Sequence, residues 1–480
     1  MENPACLRFI LGVLSIAGIP YEVVQGKYSI SRSYYYSLRP SAERVLEVLF
    51  RDGEPPKRII VVTKHFIERC VLCLSLHCRA PIESIVAFFS LVIGISVSKG
   101  NIGRIRTGAA EKAREFDAGI SLIGIQEIAI DEIFQHGKPV LTGIDLDTHY
   151  VFLMEGAEER SGECWAKKLQ ESQKRGLEAG LNVSDGGSGL LKGVQQVFPG
   201  VRQQPDVFHL LRNLGREVRS IDRYGMAKLR AYYQIEERLK RWKRRHTGCP
   251  PLTLAKQHWE LAEELDGILA QVDTVEILFD WLREYVGFTE CGYRKSLELC
   301  RWILDEMAGR FPEREKYQKE INRLRAHLPE LLSFLQRMWD KIQQKTVDFP
   351  YANVQDFQLL YQQKYQKPGT QAYEWAERRL YRRFGRQLPD AREALDETIR
   401  STHRASSMIE NVNGRLRCFM DLKRDVPNGF LILIKVFVNT KKPARNRNKS
   451  WNGTSAVERL THDKYPEFLD IVSAPMDYAF

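Results

Sequence analysis

Ile125-Gln126-Glu127-Ile128-Ala129-Ile130-Asp131-Glu132-Ile133-Phe134 is an apolar, β-branched run with two acids near its end. Its alternation predicts a strand over Ile125–Phe134. Downstream, Val140–Leu146 and Tyr150–Met154 read as strands with turns between them, and Gly162–Lys174 reads as a helix. Leu181–Ser184 is a short strand that runs into Asp185-Gly186-Gly187-Ser188-Gly189; a helix begins near Leu190, and Val201–Val207 is a last strand. Three meandering strands followed by alternating helix and strand predict a mixed α/β sheet. Residues 213–395 carry almost no strand signal, and Leu328, Leu331, Leu332, Leu335, Met338 and Trp339 recur there at helical spacing. That block reads as an all-helical domain.

Upstream, residues 63–116 read as three helices. The first, about Thr63–Arg79, is apolar at Phe66, Ile67, Cys70, Leu74 and Cys78. Pro81 opens the second, which runs through Ile85, Phe88 and Phe89 to Gly94. Ser96 or Ser98 caps the third, which carries Lys99, Asn101, Arg104 and Arg106. Helix, short turn and polar-basic helix is the helix-turn-helix layout, whose second helix enters the DNA major groove. Plain bundle helices share this layout. Cys70, Cys73, His77 and Cys78 look like zinc ligands, but on a helix they share the apolar face and no second ligand pair follows. They read as core residues. Residues 1–60 offer an apolar start, a Tyr34–Tyr36 patch and a turn at Asp52-Gly53-Glu54-Pro55-Pro56, with no role assigned.

The 480 residues carry 72 Lys+Arg against 61 Asp+Glu, a formal charge of +11. The apolar stretches Leu7–Ile19 and Ile82–Ile95 are shorter than the ~20 residues of a membrane span, and nine irregularly spaced cysteines do not make a disulfide framework. A soluble, cytoplasmic protein is expected. The charge is concentrated: Arg212–His246 holds 12 Lys/Arg against 4 acids, including Arg212, Lys240, Arg241, Lys243, Arg244 and Arg245. Tyr224, Tyr232, Tyr233 and Trp242 are interleaved there. Arg415–Lys449 holds 10 against 2, including Arg415 and Arg417. Such clusters neutralise phosphates, and interleaved aromatics can stack on bases; a solvated helix face is the plainer alternative for either cluster alone.

Three acids stand out. Asp131 lies within an apolar strand, where a carboxylate is costly unless paired or bound to a cation. Asp185 ends a strand at a Gly-rich turn, and ligands collect at the carboxyl ends of strands in such sheets. Glu410 lies in His403–Phe419, which reads as one helix, beside the small or polar Ser406, Ser407, Asn413 and Gly414. Three oxygen donors suit Mg²⁺ or Mn²⁺, and two such ions serve phosphoryl transfer. Singly, each acid also has an ordinary role: Asp185 as a turn former or cap, Glu410 as a surface residue, Asp131 as the partner of a core arginine. Glu132 points away from Asp131 by strand alternation. Asp145 and Asp147 read as strand-end turn residues, with Asp145 able to support the site indirectly.

Taken together, Ile128–Phe134, Val183-Ser184-Asp185-Gly186 and Ser407-Met408-Ile409-Glu410-Asn411-Val412-Asn413-Gly414-Arg415-Leu416-Arg417 resemble a DDE-type transposase of bacterial insertion sequences. The resemblance implies an RNase H-like core on which Asp131, Asp185 and Glu410 hold two divalent ions. Pro205-Asp206-Val207-Phe208-His209-Leu210-Leu211-Arg212-Asn213 is similar to the (C/D)-x-x-H element of Mutator-like and related transposases, which makes Asp206 and His209 accessory candidates. His209 either contacts the scissile region or packs structurally. Asp185 and Glu410 are 225 residues apart, so the helical block is expected as an insertion. Trp451-Asn452-Gly453-Thr454-Ser455-Ala456-Val457-Glu458-Arg459-Leu460 resembles the family's tail motif, with Ala456 in place of its proline.

The expected organisation is therefore α/β plus all-α. A helix-turn-helix region at 61–118 precedes the first part of the core at 119–212. The insertion at 213–395, final core helices at 396–440 and a basic tail at 441–480 follow. The implied activity is hydrolysis at the ends of a mobile element to expose a 3′-hydroxyl, then transfer of that hydroxyl to target DNA. The implied partners are double-stranded DNA (terminal inverted repeats and target) and, by family analogy, a second copy of the chain in a homodimer or higher oligomer. A nuclease of the same fold without strand transfer, and a non-catalytic DNA-binding regulator, share these residues.

Overall fold

The computed structural model describes residues 4–28, 30–49, 62–405, 407–423, 425–446 and 448–473. The expected turn at 52–56, Ser406 and Arg447 lie outside the described residues. The chain divides into two compact units, Met1–Ile67 and Glu68–Phe480. The first holds four helices: α1 (Pro4–Ile16), α2 (Tyr21–Gln25), α3 (Arg32–Ser37) and α4 (Arg39–Leu49). Leu11, Val24 and Tyr35 form its core, and the Tyr35 hydroxyl donates to the Ile19 carbonyl at 2.9 Å. Tyr34 and Tyr36 stay exposed because residues adjacent on a helix point to different sides.

The second unit is built on a five-stranded sheet of order β3-β2-β1-β4-β5. Three helices precede it: α5 (Lys64–Leu76), α6 (Ile82–Phe88), which passes into a wider π-helical turn at Phe89–Ile93, and α7 (Lys99–Ala118). The strands are β1 (Glu127–Gln135), β2 (Lys138–Asp145), β3 (Val151–Gly156), β4 (Leu181–Ser184) and β5 (Arg202–Pro205), with α8 (Gly162–Gln173) and α9 (Ser188–Val197) interposed. β1, β2 and β3 are antiparallel neighbours, whereas β4 runs parallel to β1 and β5 parallel to β4.

Both faces of the sheet are covered, so β1 is buried at Ile128, Ala129 and Ile130 alike. Ile128 and Ile130 join Trp165, Leu169, Leu190 and Val194 under α8 and α9. Ala129 and Ile133 face the other way, into a cluster with α5, α7 and two late helices, α18 (Ser407–Leu422) and α19 (Asn428–Thr440). Alternation thus puts Asp131 on the α18 side. α7 joins that cluster through Ala109, Ala110 and Ala113. It is also pinned to α19 by a buried ion pair, Lys435 Nζ to Asp117 Oδ2 at 2.8 Å, which Arg175 reinforces at 3.0 Å.

Eight helices separate β5 from α18. They are α10 (Val207–Arg245), α11 (Leu252–Tyr285), α12 (Gly292–Arg310), α13 (Glu315–Leu331), α14 (Ser333–Lys345), α15 (Val354–Lys364), α16 (Gln371–Phe384) and α17 (Leu388–Arg400). They share one apolar cluster, which includes Leu328, Leu331, Leu332, Leu335, Met338 and Trp339. The boundary expected at 212/213 falls inside α10, because the helix is capped at Asp206; the one expected at 395/396 falls inside α17. The expected helix His403–Phe419 starts only at Ser407, because residues 401 and 403 give their carbonyls to Lys341 (2.8 Å) and Arg337 (2.7 Å). Two short helices after α19 also pack inward: α20 (Ala456–Thr461) buries Ala456 and Val457, and α21 (Phe468–Val472) buries Phe468 and Val472. Ala456 is the first residue of α20, a position where proline is tolerated.

α8 and α9 pack closely at Gly193, where an added Cβ would lie 2.4 Å from the Trp165 Cβ and 2.9 Å from the Gly162 carbonyl oxygen. Gly193→Ala is therefore expected to destabilise the protein by about 1–3 kcal/mol, measured by urea unfolding. Unchanged stability would mean that the two helices separate freely.

Candidate active site

The parallel register brings the first two acids together. Ala129 pairs with Val183, so continuing that register past the end of β4 sets Asp185 beside Asp131, on which its charge acts. Leu181 and Val183 are in the same apolar cluster as Ala129, so alternation directs Asp185 to the α18 side as well. One strand further, Ser184 pairs with Pro205, and the Asp206 backbone N–H donates to the Ser184 carbonyl at 2.8 Å. Asp185 and Asp206 thus follow the ends of β4 and β5, beside Asp131 in the middle of β1.

Asp131 is mostly buried and receives two hydrogen bonds, from the Glu132 backbone N–H (2.8 Å) and from Asn413 Nδ2 (2.7 Å). Burial, reinforced by the charge of Asp185, nevertheless pushes its carboxyl up to about 6. Asp185 Oδ1 accepts from the Gly187 backbone N–H at 3.1 Å, across a turn in which Gly186 has φ +84°. That left-handed conformation requires glycine.

Glu410 is exposed on α18, one turn before Asn413. At 100° per residue, Glu410 and Arg417 flank Asn413 on that helix. Among the described residues, no three His, Cys, Asp or Glu side chains gather closely enough to hold a metal ion. The structure thus pairs Asp131 with Asp185 and leaves Glu410 outside that pair. Glu132 does point away: it binds Arg160 at 3.0 Å and the Trp165 indole at 3.3 Å on the opposite face.

Asp206 is buried and caps α10, its Oδ1 accepting from the His209 backbone N–H at 3.0 Å. The three-residue spacing of Asp206 and His209 is that of a helix cap and its third residue. The His209 side chain is half-buried. Asp147 binds His403 at 3.1 Å, while Asp145 folds back onto Thr148, which donates its N–H at 2.9 Å. Asn413 is a site residue that sequence reasoning did not assign. Its only signal is a polar side chain at the centre of an apolar helical stripe.

The basic candidates divide. Lys99 and Arg104 are exposed near the start of α7, with Asn101 half-buried and Lys99 paired to Glu83 at 2.8 Å; Ser98 is the cap. Arg106 turns inward instead: it donates to Ser75 Oγ at 2.8 Å and lies over the Phe430 ring, so it packs α7 rather than offering charge to a ligand. Beyond Gly225, α10 has no buried residue, and neither does α11 before Leu265. The two form an arm of about 30 Å that carries Arg241, Lys243, Arg244 and Arg245 on its exposed surface and Lys240 paired to Glu236. Of the aromatics here, Tyr224 is covered by Arg314 and Trp242 stacks on His246, whereas Tyr233 and Trp259 are exposed. Cys70 and Cys73 are half-buried, whereas His77 and Cys78 are exposed; the helix ends at Leu76, before them. No helix among the described residues is long and apolar enough to cross a membrane.

A mixed sheet with paired carboxylates at one edge, flanked by an exposed basic arm, has the makings of an enzyme acting on nucleic acid. Residues 82–246 match the family described as Transposase, Mutator family. Over that stretch, about a third of the chain, the sequence is similar to Mutator-family transposases, which supports an insertion-sequence transposase that binds DNA. The match spans the sheet, Asp131, Asp185, Asp206 and His209, and ends before Glu410. Among curated proteins, none matches the chain.

The raised Asp131 value makes a stability prediction. An acid whose folded value lies above its ordinary one stabilises the fold at low pH, and that contribution is lost as pH rises through about 6. In metal-free buffer Asp131→Asn is expected to stabilise the protein by about 1–3 kcal/mol at pH 8. The gain should vanish below about pH 4. Calorimetric melting at both pH values checks this, and a lower Tm for the variant at pH 8 would contradict it.

Proposed function

We propose that the chain is a DNA transposase whose sheet is an RNase H-like catalytic core, with Asp131, Asp185 and Glu410 as its three acids. The observation that carries this reading is the meeting of Asp131 and Asp185 on one face of the sheet edge, inside the stretch that matches the transposase family. The strand order β3-β2-β1-β4-β5, with three antiparallel strands followed by two parallel ones, is consistent with that core.

The donor set fits a hard divalent cation. Two carboxylates share a partly desolvated edge, and the buried one is held well above its ordinary range, which an adjacent cation would reverse. Asp131 and Asp185, with Glu410 from α18, would hold Mg²⁺ or Mn²⁺, which when bound supplies charge neutralisation at the reacting phosphate. Asn413 fixes the Asp131 carboxylate through one oxygen, and the Glu132 backbone N–H holds the other. Asp206 holds the start of α10 beside this edge, and through it the exposed Arg212. Arg417 stands beside Glu410 on α18, where it would meet a phosphate backbone.

In the proposed reaction, water attacks the phosphorus at an element end and the 3′ oxygen leaves. The exposed 3′-hydroxyl then attacks a phosphodiester of the target, releasing that strand's own 3′ oxygen. The start of α7, with Lys99, Asn101 and Arg104, would enter the major groove as the second helix of a helix-turn-helix. The α10–α11 arm would follow flanking DNA. Synapsis of two ends calls for a dimer or higher oligomer.

Glu410→Gln, Asp131→Asn and Asp185→Asn are each expected to abolish Mg²⁺-dependent cleavage and strand transfer on a labelled element end, with duplex affinity retained. Glu132→Gln should keep most activity. Wild-type cleavage by Glu410→Gln would place the third acid elsewhere, and cleavage without joining would make the protein a nuclease.

For DNA binding, replacing Lys240, Arg241, Lys243, Arg244 and Arg245 together by Gln should flatten the log–log salt dependence of duplex affinity, by about 0.9 for each phosphate no longer neutralised. Arg104→Ala should cost about 1–3 kcal/mol on a specific site if it reads a base. An unchanged slope would reduce the arm to a solvated surface.

A further inference from the structure

On the flank of α18 away from Glu410 and Arg417 lies a cavity of about 410 Å³ between the end of β2, the end of α19 and the chain around α20. Arg415, Lys441 and Arg459 line it, with Asn411, Asn446 and His149, and no acid lines it among the described residues. Arg459 is fixed in place: its Nε donates to the Thr148 carbonyl at 3.0 Å and one terminal nitrogen to the Thr454 carbonyl at 2.7 Å. Its guanidinium lies 4.3 Å from the centroid of the Trp451 ring, and the His149 ring meets the same indole edge-on at 4.4 Å.

No carboxylate pairs with Arg459 among the described residues. The adjacent Glu458 is engaged with Lys442 at 2.8 Å and with the backbone N–H groups of Ser455 and Tyr465. Nor do Arg415 and Lys441 have acid partners among the described residues; Lys441 lies near the Phe437 ring. Arg459 is half-buried, and a fixed guanidinium without an ion-paired carboxylate gains from an anion. The local field has a second witness in His149: burial, followed by the charge of Arg459, holds its imidazole down at about 3. It is therefore neutral.

We infer that this cavity binds a phosphate group, held by the free terminal nitrogen of Arg459, the Arg415 guanidinium and the Lys441 ammonium, with the Asn411 and Asn446 amides as further donors. Planar guanidinium and point-charge ammonium together suit a tetrahedral dianion or a phosphodiester. The inference does not depend on the three acids or on any bound cation, because the cavity lies on the opposite flank of α18.

The test uses the full chain with two probes, inorganic phosphate and a DNA duplex. Arg415→Gln/Lys441→Gln is the main variant, since both side chains are exposed and make no hydrogen bond within the described residues. Arg459→Lys, which keeps the charge but not the planar fork, is the second. Inorganic phosphate is expected to raise the Tm of wild type above the effect of chloride at equal ionic strength, and this rise should disappear in the double variant. Should the duplex be the source of the phosphate, the double variant will also show a salt slope smaller by about 0.9 for each phosphate no longer held, and inorganic phosphate will compete with the duplex. A vanished phosphate response with an unchanged duplex slope would assign the cavity to free phosphate. If the folded double variant and Arg459→Lys both match wild type toward both probes, the inference is overturned.

Discussion

The amide of Asn413 joins the last part of the core to the first. Its Nδ2 donates to Asp131 Oδ2 at 2.7 Å, and its Oδ1 accepts from the Thr142 hydroxyl at 2.9 Å. Because each end of the amide has its own partner, the side chain has one orientation, and α18 has one rotation and one height over β1 and β2. Both partners are buried or nearly so, so leaving either unmet would cost about 1–3 kcal/mol. The position of Glu410, Arg415 and Arg417 follows from this clamp. The helical block supports it from the other side, since Arg337 and Lys341 hold the carbonyls of His403 and Ser401 just before α18 begins.

The sheet is legible in the sequence because each strand is short, apolar and bounded by turn residues. Leu181–Ser184 agrees to the residue, and β1 agrees to within two residues at its start. The face on which Asp131 sits also follows from alternation alone, which separates it from Glu132. What the sequence hides depends on partners far along the chain. The expected helix begins at His403, yet Arg337 takes the His403 carbonyl and Asp147 its ring, and residues 403–405 stay outside any helix. Arg106 looks like a DNA-binding residue from its neighbours, but Ser75 and Phe430 claim it. The Asp206–His209 spacing reads as a chemical motif, and its local cause is a helix cap.

Two regions of positive charge differ in construction. On the α10–α11 arm, the cations stand in solvent, several next to acids such as Glu236 and Glu237. Such charges act at a distance and fade with salt. Around Arg459 the cation is fixed by carbonyls and an indole and has no ion-pair partner among the described residues. A charge of that kind depends less on ionic strength and more on the shape of what approaches. The basic clusters look alike in composition, and only packing distinguishes them.

The insertion of eight helices between β5 and α18 also orders events during synthesis. One face of the sheet is largely covered once α8 and α9 have been made, with only the α20 region to follow, but the other waits for α18 and α19. At about 5–20 residues per second, the 225 residues from Asp185 to Glu410 take roughly 10–45 s to emerge. Throughout that interval the nascent sheet presents Ala129, Ile133, Val140 and Val183 without their cover. The growing chain must therefore rely on folding of the helical block, or on a chaperone, to keep that face from sticking to other chains. A ribosome that stalls within the block leaves a fragment with two paired acids and no α18. Such a truncated product would lack the helix whose Asn413 binds the Asp131 carboxylate, so the half-made sheet would carry that acid without its clamp.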